Sequence, residues 1–260
     1  MSVKAGDLFN LEGKVAVITG GSRGIGKMIA SVFVANGVRV YITGRNAEVA
    51  AETARELSQQ GGDCRALPAD LSRMDEVERV AAELAQRETA LHILVNNAGT
   101  TWGAPIDQFP ETGWDRVMNL NIKGLFFLTQ KLLPLLSAGA SDDDWSRVIN
   151  VSSVGARIAE DGLSAPSYAS SKAAVEQLTR VFARQLGPNR VTSNCIAPGW
   201  FPTRMNAPIT DTMGAAWLAA TPSHRFGTAA DIGGLAMFLA SKAGSYVNGQ
   251  IITIDGGKTL

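Results

Sequence analysis

The 260-residue chain is poor in the groups that would tie it to a metal, a membrane or a polyanion. Its two cysteines, Cys64 and Cys195, stand far apart in apolar strand-like runs without CxxC spacing, so reduced thiols in a cytoplasmic setting are expected rather than a disulfide framework. His92 and His224 belong to no acidic or cysteine cluster with ligand spacing, which leaves packing or surface roles and no catalytic metal. The acidic run Asp142-Asp143-Asp144 lacks converging partners and reads as a solvated loop. Lys plus Arg (24) equals Asp plus Glu (24), so no overall field favours nucleic acid or an anionic membrane, and a small organic partner fits better. No segment approaches the roughly 20 apolar residues of a span, and Met1–Asn10 has no basic stretch leading into an apolar one. A soluble protein without a membrane partner is expected.

What is present is a chain that is 45% apolar and only 18% charged, enough to bury one large core over residues 1–260. Apolar runs bounded by Gly, Asn or Asp recur at Val15–Thr19, Val38–Thr43, Cys64–Pro68, Leu91–Val95, Val148–Ser152, Val191–Ile196 and Gln250–Ile254. Helical spacing fills the intervals at Gly26–Asn36, Ala47–Gln60, Met74–Arg87, Trp114–Leu136, Tyr168–Leu186 and Ala229–Leu239. Such alternation predicts an α/β fold, a doubly wound parallel sheet of about seven strands with helices on both faces. No linker or repeat divides the chain. The one long stretch without clear period, 198–227, combines turn formers with aromatics and reads as a loop, either capping the core or forming a lid over a substrate site.

The first strand runs directly into Gly20-Gly21-Ser22-Arg23-Gly24-Ile25-Gly26 and then a helix. Glycine lets backbone approach a pyrophosphate, and the amides of the following helix start favour an anion, so this strand–turn–helix is a Rossmann-type dinucleotide cradle or else a tight connecting turn. The spacing of Gly20, Gly24 and Gly26 is G-x-x-x-G-x-G rather than G-x-G-x-x-G. The second strand ends at Thr43-Gly44-Arg45, where an NAD site would carry an acid for the ribose hydroxyls. Arg45, with Arg23, can instead pair with a 2′-phosphate, which predicts NADP(H); the alternative is two solvated arginines.

Tyr168 and Lys172 lie four apart, on one face of a helix. An ammonium beside a phenol, whose usual pKa is about 10, would stabilise phenolate and tune the group for proton transfer. Ser152 and Ser153 follow an apolar strand, at the carboxyl edge where open α/β sheets hold ligands, and a hydroxyl there can orient a carbonyl oxygen. Taken singly, each of these patterns is as well explained by surface or turn chemistry.

Taken together they resemble the short-chain dehydrogenase/reductase family from Lys14 to Gly257. The residues carrying the resemblance are Thr19-Gly20-Gly21-Ser22-Arg23-Gly24-Ile25-Gly26, Asp70-Leu71, Asn96-Asn97-Ala98-Gly99, Asn121, Ser153, Tyr168-Ala-Ser-Ser-Lys172, Pro198-Gly199 and Asp255-Gly256-Gly257. The resemblance implies that Tyr168 exchanges the substrate proton, Ser153 holds the carbonyl oxygen, Lys172 lowers the Tyr168 pKa and binds the nicotinamide ribose, and Asn121 joins a water relay. It further implies that Asp70 meets the adenine, Asn97 lines the cofactor cleft, Thr203 reaches the carboxamide and Arg45 holds the phosphate. A homotetramer, or a homodimer, is implied in the same way.

Thr100-Thr101-Trp102-Gly103 and Gly199–Met205 are similar to a β-ketoacyl reductase branch of the family. The interval from Ser153 to Tyr168 is longer than usual there, with Glu160-Asp161-Gly162 as the candidate insertion, so substrate specificity need not follow. Trp102, Trp200, Phe201, Met205 and Trp217 could line an apolar pocket, or pack the core. The expected activity is reversible reduction of a ketone or aldehyde to an alcohol by hydride transfer with NADP(H). An oxidative dehydrogenase of a polyol or sugar acid and a non-catalytic NADPH-binding regulator are the rival readings.

Overall fold

The computed structural model describes residues 4–59, 61–159, 165–203 and 214–260. Seven parallel strands, β1 (Val15–Ile18), β2 (Arg39–Ile42), β3 (Asp63–Ala66), β4 (Ile93–Asn96), β5 (Ser146–Val151), β6 (Val191–Pro198) and β7 (Ile251–Ile254), form one sheet in the order β3-β2-β1-β4-β5-β6-β7. Val17 of β1 pairs in register with Tyr41 on one side and Leu94 on the other, so the chain reverses its direction of travel across the sheet between β1 and β4. That reversal opens a crevice beyond the carboxyl ends of both strands.

Alternation along the buried strands divides the core. Ala16, Ile18, Val40, Ile42, Val95 and Ile196 face one layer, where they meet Ile29 and Phe33 of α2 (Gly24–Ala35), Ala54 and Leu57 of α3 (Ala47–Ser58), and Ile232 and Ala236 of α8 (Ala229–Ala240). Val15, Val17, Leu94, Val148 and Cys195 face the other, against α4 (Met74–Arg87), α6 (Leu125–Gly139) and α7 (Pro166–Gln185). Local chemistry sets the helix starts. Asn46 accepts from the Val49 N–H to begin α3, and Thr228 and Asp231 form a reciprocal capping box on α8.

Three features depart from the sequence reading. A short helix, α1 (Ala5–Phe9), precedes β1 without any apolar stripe to announce it. The single helix expected over Trp114–Leu136 is instead α5 (Glu111–Met118) and α6 joined by a π-helical turn, Asn119–Gly124. That turn admits Gly124 against the Leu71 carbonyl, where a Cβ would collide, and turns Asn121 into the interior. Asp144, finally, is not a solvated acid. Its carboxylate meets Lys14 Nζ at 2.6 Å and Arg147 Nη2 at 3.1 Å, and Arg147 is 1% exposed within β5.

Candidate active site

The glycine turn is built by hydrogen bonds from neighbouring strands. Thr19 Oγ1 accepts from the N–H groups of Asn97 and Ala98, both at 2.9 Å, and Thr43 Oγ1 accepts from Gly20 N–H at 3.2 Å. Asn97 Nδ2 donates to the Thr19 carbonyl at 2.8 Å and reaches the Gly20 carbonyl at 3.4 Å. Gly20 (φ +64°) and Gly24 (φ +53°) occupy the left-handed region, which strains any other residue, and a Cβ on Gly26 would sit 2.5 Å from both Asn97 Nδ2 and the Gly20 oxygen. Asn97, expected to line a cofactor cleft, therefore braces the turn, and Ile25 packs on the core.

A cavity of about 590 Å³ opens beyond the carboxyl ends of β1, β2, β3 and β4. Gly20, Ser22 and Arg23 form one wall, Gly44, Arg45 and Asn46 a second, with Ala69 and Leu71 after β3 and Ala98 and Gly99 after β4 completing it. Among the described residues, two guanidinium groups and no carboxylate line it. Arg23 and Arg45 are both exposed, and neither has an ion-pair partner among the described residues. Asp70 is not part of the lining; its Oδ1 accepts from the Ser72 N–H at 3.1 Å and the Ser72 hydroxyl at 2.7 Å, closing the turn after β3. Thr203 rests over the start of α2, its Cγ2 3.2 Å from where a Gly24 Cβ would stand, while Gly199 follows Pro198 against Asp255.

At the carboxyl end of β5, Ser153 accepts from the Gly155 N–H at 3.1 Å and hydrogen-bonds Tyr168 on α7. Lys172 Nζ, one turn along, donates to the Val151 carbonyl at 2.8 Å and lies 5.7 Å from the centroid of the Tyr168 ring. Asn121 Nδ2 donates to Ser171 Oγ at 2.9 Å and the Thr100 carbonyl at 3.0 Å, and its Oδ1 accepts from the Thr100 N–H at 2.9 Å. The π-turn thereby hangs the loop after Gly99 from the helix that carries Lys172.

One electrostatic expectation is corrected. Burial pushes the Tyr168 phenol up from its usual value, against the Ser153 hydrogen bond, the opposite of the direction expected. Lys172 is 5% exposed and likewise stripped of water, which brings its ammonium down to about 8.

The aromatic residues divide. Trp200 and Trp217 stack at 3.5 Å with an interplanar angle of 11°, joining the end of β6 to a helical segment at 214–219. Phe201 is a core residue, 3% exposed and packed over Gly227. Trp102 lies flat against Gly113 beneath the Arg116 guanidinium, 5.6 Å from its ring centroid. Met205 and the Glu160-Asp161-Gly162 stretch lie outside the described residues, as does 204–213 of the expected lid. Not anticipated are the roles of Thr19 and Thr43, whose hydroxyls hold the glycine turn, and of Glu176, buried one turn beyond Lys172. The repeated spacing of four from Tyr168 to Lys172 to Glu176 was the available signal for the last.

Residues 20–259 match the family model described as enoyl-(acyl carrier protein) reductase. The chain is 46% identical over 251 residues to the rhamnolipids biosynthesis 3-oxoacyl-[acyl-carrier-protein] reductase of Pseudomonas aeruginosa, covering 96% of this chain and 97% of that one. It belongs to the short-chain dehydrogenase/reductase family. Among solved structures, this short-chain dehydrogenase/reductase superposes on the Pseudomonas aeruginosa RhlG/NADP active-site complex with a TM-score of 0.93 at 44% identity, over 98% and 99% of the two chains. The Burkholderia cenocepacia gluconate 5-dehydrogenase in complex with NADP and tartrate follows at a TM-score of 0.90 and 34% identity, over 98% and 99%. The short-chain dehydrogenase/reductase described here is thus an oxidoreductase of CH–OH and C=O groups.

Proposed function

We propose that the protein reduces a ketone or aldehyde to an alcohol with NADP(H), through Ser153, Tyr168 and Lys172. The observation that supports this most is the pairing of that side-chain group with a glycine-walled cavity that, among the described residues, holds two arginines without an ion-pair partner and no acid. Both solved relatives above are NADP complexes. The cavity fits such a cofactor. Gly20, Ser22 and Gly24 would present backbone to the pyrophosphate, Arg23 and Arg45 would pair with the 2′-phosphate, Ala98, Gly99, Pro198 and Gly199 would flank the nicotinamide side, and Thr203 would reach its carboxamide. Leu71, which lines the cavity, and Asp70 in the turn beside it would meet the adenine.

NADPH supplies the hydride when bound. Ser153 orients the carbonyl oxygen, and Tyr168 delivers its phenolic proton to the alkoxide as negative charge develops there. A phenol held above its ordinary pKa stays protonated at neutral pH, so the donor is always loaded before reduction. Lys172 compensates the phenolate left behind and would bind the ribose hydroxyls of the cofactor, and Asn121 would align the water chain that returns a proton to Tyr168. Oxidation of an alcohol runs through the same groups in reverse.

The 46% relative favours a β-ketoacyl or comparable ketone as substrate, with 198–227 as its cover and Trp102, Trp200 and Trp217 as the apolar contacts. The gluconate 5-dehydrogenase supports a sugar acid as the second reading. We further infer a homotetramer or homodimer. The β7 edge strand has only β6 as a sheet neighbour, its Ile-Ile-Thr-Ile side chains are half-buried, and Tyr246 and Leu260 stand exposed. Two buried free thiols, and no described helix long and apolar enough to cross a membrane, suit a cytoplasmic enzyme.

The test is oxidation of NADPH and of NADH against one panel of β-ketoacyl thioesters, cyclic and aryl ketones, diketones and keto sugars, for the parent protein and Tyr168→Phe. NADPH-selective turnover is expected, falling at least about 100-fold in Tyr168→Phe with NADPH binding retained. Full activity in the variant would remove Tyr168 from the reaction. Tight NADPH binding without turnover on any carbonyl, or in the reverse direction with alcohols, would leave a non-catalytic NADPH-binding protein.

A further inference from the structure

The turn that carries Ser153 is fastened at both of its ends to one carboxylate. On the near side, Ser152 Oγ donates to the Lys172 carbonyl at 3.0 Å and to Glu176 Oε1 at 3.4 Å. On the far side, Arg157 Nε lies 3.2 Å from Glu176 Oε1 and 3.3 Å from Oε2, and Arg157 Nη1 donates to Thr253 Oγ1 on β7 at 2.9 Å. Between these anchors the turn is stiff. Gly155 N–H closes on Ser153 Oγ at 3.1 Å, and Arg157 N–H closes on the Val154 carbonyl at 2.9 Å.

Glu176 is 7% exposed, whereas the Arg157 side chain is 38% exposed. A buried carboxylate paired with a half-open arginine is a poor source of stability, since an apolar side chain of similar volume commonly does as well. Its value is geometric. Tyr168, Lys172 and Glu176 fall on three successive turns of one face of α7, so the carboxylate measures the Ser153 turn against the helix that bears the other two groups.

We infer that Glu176, held by Arg157, is a positioning residue for the reduction, fixing the Ser153 hydroxyl relative to Tyr168. The inference rests on the roles proposed for Ser153 and Tyr168. Glu176 touches neither cofactor nor substrate; it acts through the turn. Misplacement of a reacting group by about 1 Å can cost about 100-fold in rate.

The experiment is a double-mutant cycle on full-length protein, using the best ketone of the panel and NADPH. Glu176→Gln preserves size and the bond from Ser152 but releases Arg157. It is expected to lower kcat about 10- to 100-fold, with NADPH affinity by fluorescence titration unchanged. Arg157→Ala, at the exposed end of the pair, should show the same loss, and Arg157→Lys should recover part of it. In a Ser153→Ala background, Glu176→Gln should cost nothing further, because the group it aligns is gone. A purely structural role would give additive losses and a fall in cofactor affinity, and either result overturns the inference. Wild-type kcat in Glu176→Gln beside an impaired Ser153→Ala sinks this inference alone, while an unimpaired Ser153→Ala sinks the reading of the site itself together with it.

Discussion

At the scale of single residues, the site is defined as much by the groups that lack partners as by those that have them. Arg45 stands three residues beyond β2, where, among the described residues, its guanidinium meets no acid and no carboxylate lines the cavity it faces. A charge-assisted hydrogen bond of this kind contributes about 2 kcal/mol, or roughly thirtyfold in affinity. Arg45→Ala should therefore raise the KM for NADPH about thirtyfold and leave the KM for NADH unchanged, as steady-state assays with each cofactor would show. Equal losses with both would mean that Arg45 does not read the 2′-phosphate. What the sequence offered at Arg45 was an arginine in place of an expected acid at a countable position, and the fold sets it on the cavity wall. The direction of the Tyr168 shift was not legible there, because spacing tells which charges are neighbours but not how much water each has lost.

At the scale of elements, the junction of β1 and α2 shows packing overriding local preference. Alanine in a helix is favoured over glycine by up to about 1 kcal/mol, which argues for Ala at position 26. A Cβ there would nevertheless stand 2.5 Å from Asn97 Nδ2 and from the Gly20 carbonyl, and such overpacking costs about 1–3 kcal/mol. The clash wins. Gly26→Ala should weaken NADPH binding several-fold and lower Tm, measured by fluorescence titration and thermal scanning; unchanged binding would show that the Asn97 brace is dispensable. The long helix is the counter-case. Its period was visible from Trp114 to Leu136, but the π-turn at Asn119–Gly124 was not, because it answers the Leu71 carbonyl on another segment rather than anything in the helix's own sequence.

At the scale of the molecule, the two ends of the sheet serve different purposes. The carboxyl edge collects the cavity and the Ser153–Tyr168–Lys172 group, while toward the opposite edge Asp144 compensates Lys14 at 2.6 Å and Arg147 at 3.1 Å. Arg147 is essentially inaccessible, so removing the shared carboxylate leaves a buried cation without its counter-charge. Asp144→Asn should cost about 3 kcal/mol, or a fall in Tm of roughly 6–12 °C, with kcat/KM preserved because the site is at the other end. A Tm within a degree of the parent would show that water already serves both cations.

The sequence by itself determined the alternating α/β architecture, the strand at the head of the glycine turn, the family and the residues of the Ser153, Tyr168 and Lys172 group. These follow from period, spacing and residue type, which are local or countable along the chain. Tertiary structure alone decided the strand order beyond β1, the insertion of Asp144 between two buried cations, the bracing of the glycine turn by Asn97, and the fastening of the Ser153 turn to Glu176. Each of these depends on which distant segment arrives alongside, and on the water that its arrival displaces.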